Sequence, residues 1–259
     1  MNRDILDRLD FAKETAIKAG EILAKNFGGR HKGTMKSSRE VVTETDLESE
    51  RYILNAIENR YGEPVLSEES NPNTDTKGPL WIVDPLDGTN NFAAGIPFFA
   101  VIISFAIDSS TKLGVIYEPL RKELFWSDGI LSYLGESRIN ISNTEKLGDC
   151  IAATGFPYLR GLGTNSNLEN FVRITMAVRG IRRIGSAGLD LAYTAAGRFD
   201  IYWELGLKPW DISAGELIVR CAGGKTGRFD GSPWSLGMQA ILASNPQIFN
   251  YVSNILSCE

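Results

Sequence analysis

Apolar positions recur at steps of three and four over residues 4–27, where Leu9, Ala12, Ala16, Ala19 and Leu23 fall on one face, so the pattern predicts an amphipathic helix stopped at Gly28-Gly29. A polar stretch, RHKGTMKSSRE, reads as an exposed loop. Thr45-Asp46-Leu47-Glu48 then has the form of a capping box, with Leu47, Leu54, Ile57 and Tyr61 lining the face of a second helix. Asp46 would sit at the mouth of that helix. PVLSEES reads as a short strand running into acids. LWIVD (80–84) is a continuous apolar run that breaks at DPLDG, which predicts a buried strand delivering Asp84 to a sheet edge.

Residues 98–127 alternate in three strand-like runs around the turns DSST and PLR, the signature of an antiparallel meander. RINIS, CIAATGF, IRRIG, RFDIYWEL, KTGRF and AILASN are further strand candidates. Residues 167–179, SAGLDLAYTAAG, WDISAGELIVRCAGG and PQIFNYVSNIL read as helices. Ser186 is the expected N-cap of the second, closed by Gly197, and Asp211 opens the third, closed by Gly223. Strands interleaved with helices predict a layered α/β protein with largely antiparallel sheets. With neither repeats nor a long linker, residues 1–259 read as one domain, with halves of about 1–145 and 146–259.

Composition narrows the chemistry. The charge of −5, from 27 basic and 32 acidic side chains, argues against nucleic acid or an anionic membrane as partner. The first residues alternate charge and apolar groups and lack a signal-peptide core, and no apolar run approaches the ~18 residues that span a bilayer. Three scattered cysteines, Cys150, Cys221 and Cys258, suit a reducing cytoplasm better than a disulfide framework. The single histidine, His31, lies in a polar loop, so triad, phosphohistidine and multi-histidine zinc chemistry would all hang on one residue. Carboxylates remain.

Five acids each fall at the end of an element: Asp46, Glu68, Asp84, Asp87 and Asp211. Singly, each could be a cap, a turn residue or a solvated charge. The run DPLDGTNN changes that reading. Pro85 stiffens the chain, Gly88 allows close approach of a ligand, and a helix starting near Thr89 would offer free N–H groups to a phosphate. Clustered carboxylates would repel one another and that phosphate unless a hard divalent cation intervened, and Mg²⁺ suits oxygen donors. Such ions lower the pKa of a bound water and neutralise charge on the leaving oxygen.

WIVDPLDGTNNF, WDISAGELIVRCAGG, VVTETD and LSEES, in this order along the whole chain, resemble the signatures of the inositol monophosphatases. The resemblance implies an alternating α-β-α-β-α five-layer sandwich, a cytoplasmic homodimer and Li⁺ sensitivity. It implies two to three Mg²⁺ ions held by Glu68, Asp84, the Leu86 carbonyl, Asp87 and Asp211. A third, weaker ion would sit near Glu68 through water; Asp46, Thr89 and Glu68 would be catalytic, the first two orienting and deprotonating the attacking water, and the Gly88 and Thr89 N–H groups would hold phosphate. Gly185, Ser186, Ala187 and Glu204, beside Asp87 and Asp211, would meet substrate hydroxyls, and Lys36 would be a loop contact near the metals. The implied substrate is a small phosphorylated polyol or sugar, inositol 1-phosphate first.

Fructose 1,6-bisphosphate is the main alternative, favoured by the cluster Arg179, Arg182 and Arg183, whose plainer reading is a solvated face. NADP is a further candidate, and a regulatory or RNA-associated role is a reading of another class. Other phosphatase chemistries fail on spacing: Asp84 and Asp87 do not form D-x-D, and Cys221 lacks an arginine at C-x₅-R. GGKT lacks the first P-loop glycine, which falls on Val219. Two departures from the family pattern stand out. ILSYLGESRINIS replaces a G-A-F-x-N-G turn, and Gly188 stands where alanine is usual, which predicts a looser substrate wall.

Overall fold

The structure is a computed structural model that describes residues 3–28, 34–35, 41–75, 77–158 and 166–257. Two long helices form the first layer, α1 (Arg3–Asn26) and α2 (Glu44–Arg60), with a short antiparallel pair, β1 (Thr34–Met35) and β2 (Val41–Val42), between them in sequence. The next layer is a seven-stranded sheet of β3 (Val65–Ser67), β4 (Pro79–Asp87), β5 (Ala100–Ile107), β6 (Ser110–Glu118), β7 (Glu123–Ser127), β8 (Ser132–Leu134) and β9 (Ser137–Arg138), in sequence order. A short helix, α3 (Thr89–Ala94), leaves the end of β4. Only the β3–β4 pair is parallel, as expected for a sheet built mainly of meander hairpins.

The second half adds β10 (Ile151–Thr154), α4 (Leu168–Thr175), β11 (Gly180–Arg182), α5 (Ala187–Ala195), β12 (Ile201–Leu205), α6 (Pro209–Cys221), β13 (Lys225–Gly227), β14 (Ala240–Ser244) and α7 (Pro246–Ser257). Its sheet has the order β11-β10-β12-β14-β13 and is mixed, with β10 parallel to both neighbours.

Apolar cores weld these layers. Ala12, Ala16 and Leu23 of α1 and Ile53 and Ile57 of α2 pack on Trp81, Val83, Val101 and Val115 of the first sheet. The opposite face of that sheet, with Ala100, Ile102 and Ile116, meets α5 and α6 through Leu189, Ala192, Ile212 and Ile218, and these in turn meet Tyr202, Ile241 and Ala243. Beyond the second sheet, Ile201, Trp203 and Leu242 pack with Ile174 of α4 and Ile248, Phe249 and Val252 of α7. The period-2 alternation of Ile201, Tyr202 and Trp203 assigns each to its core. The result is the five-layer α-β-α-β-α order.

Several local expectations shift. The capping residue of α2 is Thr43, two residues earlier than the pattern suggested, so the buried face turns to Ser49, Glu50, Ile53 and Ile57. Leu47 is left 44% exposed. RINIS is strand only to Arg138; the Ile139 N–H still bonds the Ser132 carbonyl of β8, but two residues on the Ile141 N–H has left the sheet for the Ala222 carbonyl at the end of α6. The helix expected over 167–179 ends at Thr175. Among the described residues no helix is long and apolar enough to cross a membrane.

Candidate active site

The centre of the site is a break in strand register. Asp84 pairs with Ile102 and Asp87 with Ala100, so three steps along β4 match two along β5. In a regular strand residues three apart face opposite sides; the extra residue of this bulge brings Asp84 and Asp87 to the same face. That face is the one carrying Ala100 and Ile102 toward α5 and α6, while Leu86 turns into the opposite core. The Ser49 hydroxyl of α2 donates to the Pro85 carbonyl at 2.9 Å and pins the bulge.

Two further aspartates arrive on helix N-termini, each in the first turn at the third position. Asp46 of α2 accepts from the Thr43 N–H at 2.9 Å, and Asp211 of α6 accepts from the Lys208 N–H at 2.7 Å. Each thus caps its own helix, where the positive end of the dipole favours a carboxylate. Asp46 has a second partner: the Thr89 hydroxyl donates to its Oδ1 at 2.9 Å. Thr89 opens α3 directly after Gly88, whose backbone is left-handed at φ 91°.

Asp87 is gripped by the first turn of α5. It accepts from the Ser186 hydroxyl at 2.5 Å, the Gly188 N–H at 2.8 Å and the Ala187 N–H at 3.2 Å. Hydrogen bonds to a charged group each contribute about 1.5–3 kcal/mol. Even so, burial wins and the Asp87 carboxyl lies above its ordinary range. Asp84 is pushed up further, by burial first and then by the charges of Glu68, Asp87 and Asp211, against the Leu86 N–H donated at 3.0 Å. Asp211 is raised by burial and then by Glu68. The four acids therefore share one negative field. Among the described residues, however, no three carboxylate, imidazole or thiol groups close into a ready-made metal-ligand cluster.

The residues that the resemblance assigns to a substrate wall lie at the start of α5 and on β12. Asn91 of α3 donates to the carbonyls of Ile184 and Gly185 at 2.9 and 3.3 Å, joining α3 to the segment that leads into α5. Glu204 accepts from the Tyr202 hydroxyl at 2.8 Å and is pushed up to about 7, chiefly by burial. The wall is not loosened at Gly188. A Cβ there would lie 2.5 Å from Ile102 Cδ1 and 3.0 Å from Asp87 Oδ2, so the missing methyl is filled space. The arginines separate: Arg179 reaches Asp149 at 3.5 Å, and Arg182 bonds the Ile181 carbonyl at 3.1 Å. Arg183 alone addresses the wall, where it favours the ionised Glu204. Lys36 and His31 lie outside the described residues.

Several residues here have no sequence signal of their own. Glu50, 2% exposed on α2, accepts from the Glu69 and Ser70 N–H groups at 3.1 and 3.0 Å and so shapes the turn carrying Glu68. Ser49 and Asn91 are equally ordinary in sequence. The altered ILSYLGESRINIS segment forms a tight hairpin in which Tyr133 stacks on Trp126 at 4.2 Å, and Ser132 donates to the Ile218 carbonyl at 2.7 Å.

Layered sheets with carboxylates gathered at a strand bulge and at two helix N-termini define an α/β protein with an acidic site. The inositol monophosphatase family model matches residues 5–256. The chain is 37% identical to an inositol-1-monophosphatase of Synechocystis over 98% of this chain and 90% of that protein. It is 36% identical to the Nus factor SuhB of Pasteurella multocida over 95% and 94% of the two chains. The solved inositol monophosphatase of Anabaena superposes with a TM-score of 0.88 at 36% identity, covering 98% and 96%. The chain belongs to the inositol monophosphatase family, whose members are generally metal-dependent and act on phosphorylated substrates.

Proposed function

We propose that this protein is a Mg²⁺-dependent phosphomonoesterase acting on a small phosphorylated polyol or sugar, inositol 1-phosphate foremost, with residues 1–259 forming one catalytic domain. The observation that carries the reading is the bulge that turns Asp84 and Asp87 to one face, within the same field as Glu68 and Asp211. Their donor set is all oxygen, and their mutual repulsion is what a hard divalent cation relieves.

Glu68, Asp84, the Leu86 carbonyl, Asp87 and Asp211 would hold two to three such ions. When bound, the ions neutralise phosphate charge and lower the pKa of a coordinated water. Asp46 and Thr89 form the proton-handling pair. The Thr89 hydroxyl proton points at Asp46, so the Thr89 oxygen accepts from the attacking water; as that water gives its proton to Thr89, Thr89 passes its own to Asp46, whose carboxylate becomes a neutral acid. The Gly88 and Thr89 N–H groups hold phosphate oxygens, Gly185, Ser186, Ala187 and Glu204 receive the hydroxyls of the leaving polyol, and the family resemblance adds Lys36 as a loop contact.

Fructose 1,6-bisphosphate is the second reading, and it rests on Arg183 alone, since Arg179 and Arg182 turn elsewhere. A role such as the Nus factor named for the Pasteurella relative would add to catalysis rather than replace it, because the sequence keeps every acid of the motifs. A homodimer is part of the proposal; Leu168 and Val172 of α4 and its C-cap Met176, spaced by four, leave an apolar stripe 49–86% exposed. The test is phosphate release from inositol 1-phosphate, fructose 1,6-bisphosphate and NADP, with Mg²⁺ and with chelator. Metal-dependent release supports the reading; no release from a folded, metal-loaded protein overturns it.

A further inference from the structure

Gly155, which directly follows β10 and is buried, is a glycine that its backbone does not require. Gly88 and Gly185 are left-handed at φ 91° and 90°, but Gly155 lies outside that region, so conformation alone does not call for glycine there. What a side chain would meet is Glu204. A Cβ built on Gly155 would overlap the Glu204 carboxylate, and its three nearest neighbours are Cδ, Oε1 and Oε2 of that one group.

Strand register explains the contact. β10 and β12 run parallel, with Ala152 beside Ile201, Ala153 beside Tyr202 and Thr154 beside Trp203. One step further sets Gly155 beside Glu204. Alternation gives one face Ala153, Tyr202, Gly155 and Glu204, and the other Thr154 and Trp203. On its other flank, toward β14, Glu204 pairs with Ile241. The carboxylate therefore rests on the flank where the chain offers no side chain, and the Tyr202 hydroxyl donates to its Oε2 at 2.8 Å.

Gly155 is itself anchored from behind. Asn167, 2% exposed, donates to the Gly155 carbonyl at 2.7 Å and to the Thr154 hydroxyl at 2.9 Å, and its Oδ1 accepts from Trp203 Nε1 at 2.8 Å. One amide thus ties the residue under Glu204 to the residue before Glu204. Past Glu204 the two segments stay closed, because a Cβ on Gly206 would lie 2.6 Å from Pro157 Cβ.

We infer that Gly155 is a specificity-determining position: its missing side chain leaves the seat that holds the Glu204 carboxylate where it selects substrates by their hydroxyls. This rests on the proposal that Glu204 meets those hydroxyls. The carboxylate is the far end of a flexible side chain, whereas Gly155 is fixed by Asn167. Filling the seat would therefore displace Glu204 and leave the sheet in place.

The test compares inositol 1-phosphate with p-nitrophenyl phosphate, whose leaving group carries no further hydroxyl. In Gly155→Ala the ratio of kcat/KM for the first substrate to that for the second should fall about tenfold, the loss expected for one hydrogen bond to a charged group, mainly through KM. In a Glu204→Ala background, which empties the seat, the same substitution should leave the ratio unchanged. A crystal structure of Gly155→Ala should show the Glu204 carboxylate swung away from Tyr202, with β10 and β12 unmoved. A ratio within twofold of wild type, an effect that persists in Glu204→Ala, a carboxylate still on Tyr202, or loss of the fold in Gly155→Ala overturns the inference and leaves the phosphatase reading standing. If wild type releases no phosphate from either substrate, that reading falls, and calorimetric binding of inositol 1-phosphate with Ca²⁺ in place of Mg²⁺ decides. Weaker binding to Gly155→Ala than to wild type supports the seat; equal binding, or none to wild type, overturns it.

Discussion

The Thr89 hydroxyl donates to the Asp46 carboxylate at 2.9 Å, tying the start of α3 to the first turn of α2 across 43 residues of chain. The same Asp46 caps its own helix through Thr43. One carboxylate thus serves two duties: its cap fixes its position, and its second oxygen orients the threonine. The capping reading and the catalytic reading of Asp46 are compatible because a carboxylate accepts several hydrogen bonds.

Removing the Thr89 hydroxyl should therefore uncouple proton handling from folding. Thr89→Ala is expected to lower kcat by about 10²–10⁴, the usual span for a lost acid–base group, with a small change in KM. Thr89→Ser should recover most of the loss. Equal kcat in the alanine variant and wild type, measured by phosphate release, would remove Thr89 from the chemistry.

Asp87→Asn should abolish most turnover while leaving the layered fold intact by circular dichroism. It removes one charged donor from the acid group but keeps an oxygen for part of the α5 grip. Near-normal turnover in this variant at low Mg²⁺ would sink its assignment to the metal site.

The raised acids make a linkage prediction. Asp84, Asp87 and Asp211 all have folded-state pKa values above their unfolded ones. Their contribution to stability is thus fully present below the ordinary carboxylate range and is lost as pH rises through the folded values. In chelator, thermal unfolding of Asp84→Asn should depend less steeply on pH than wild type above that range. Mg²⁺ should raise the wild-type Tm at neutral pH and lose this effect in acid, because protonated carboxyls do not hold the ion. A Tm indifferent to Mg²⁺ at every pH refutes the linkage.

Glu204, raised to about 7, should be an ionised acceptor only above that pH. The KM for inositol 1-phosphate is expected to rise as pH falls through about 7, and Glu204→Gln should flatten that limb. Parallel pH profiles for the two proteins would assign the titration elsewhere.

Gly188→Ala probes packing. The added methyl meets the mobile tip of Ile102 first and Asp87 second, so a loss of about 1 kcal/mol, at the low end for overpacking, is expected in urea unfolding. Ile102→Val, which removes that tip, should restore most of the stability. Failure of the pair to compensate would mean that the Asp87 contact dominates.

The sequence by itself determined the layers and the inventory of acids. Periodicity near 3.6 or 2 reports which face of an element is buried, and α1, α6 and the strands from Leu80 to Ser127 carry that signal without competition. Motif spacing likewise placed Asp87 and Asp211 at element ends, whereas Asp84, expected to end its strand, lies inside β4, which runs on to Asp87. What only the tertiary structure decided depends on partners distant in the chain. The register shift against β5 puts Asp84 and Asp87 on one face, which no local pattern encodes. Glu50 shapes the Glu68 turn 19 residues away, Leu47 lost its place in the core to a cap two residues earlier, and Ile102 fills the gap at Gly188. Gly155 looks like any strand-end glycine until β12 lays Glu204 over it. Burial and pairing are properties of the packed chain, so a side chain's desolvation cost, and with it its chemistry, exists only once its neighbours are in place.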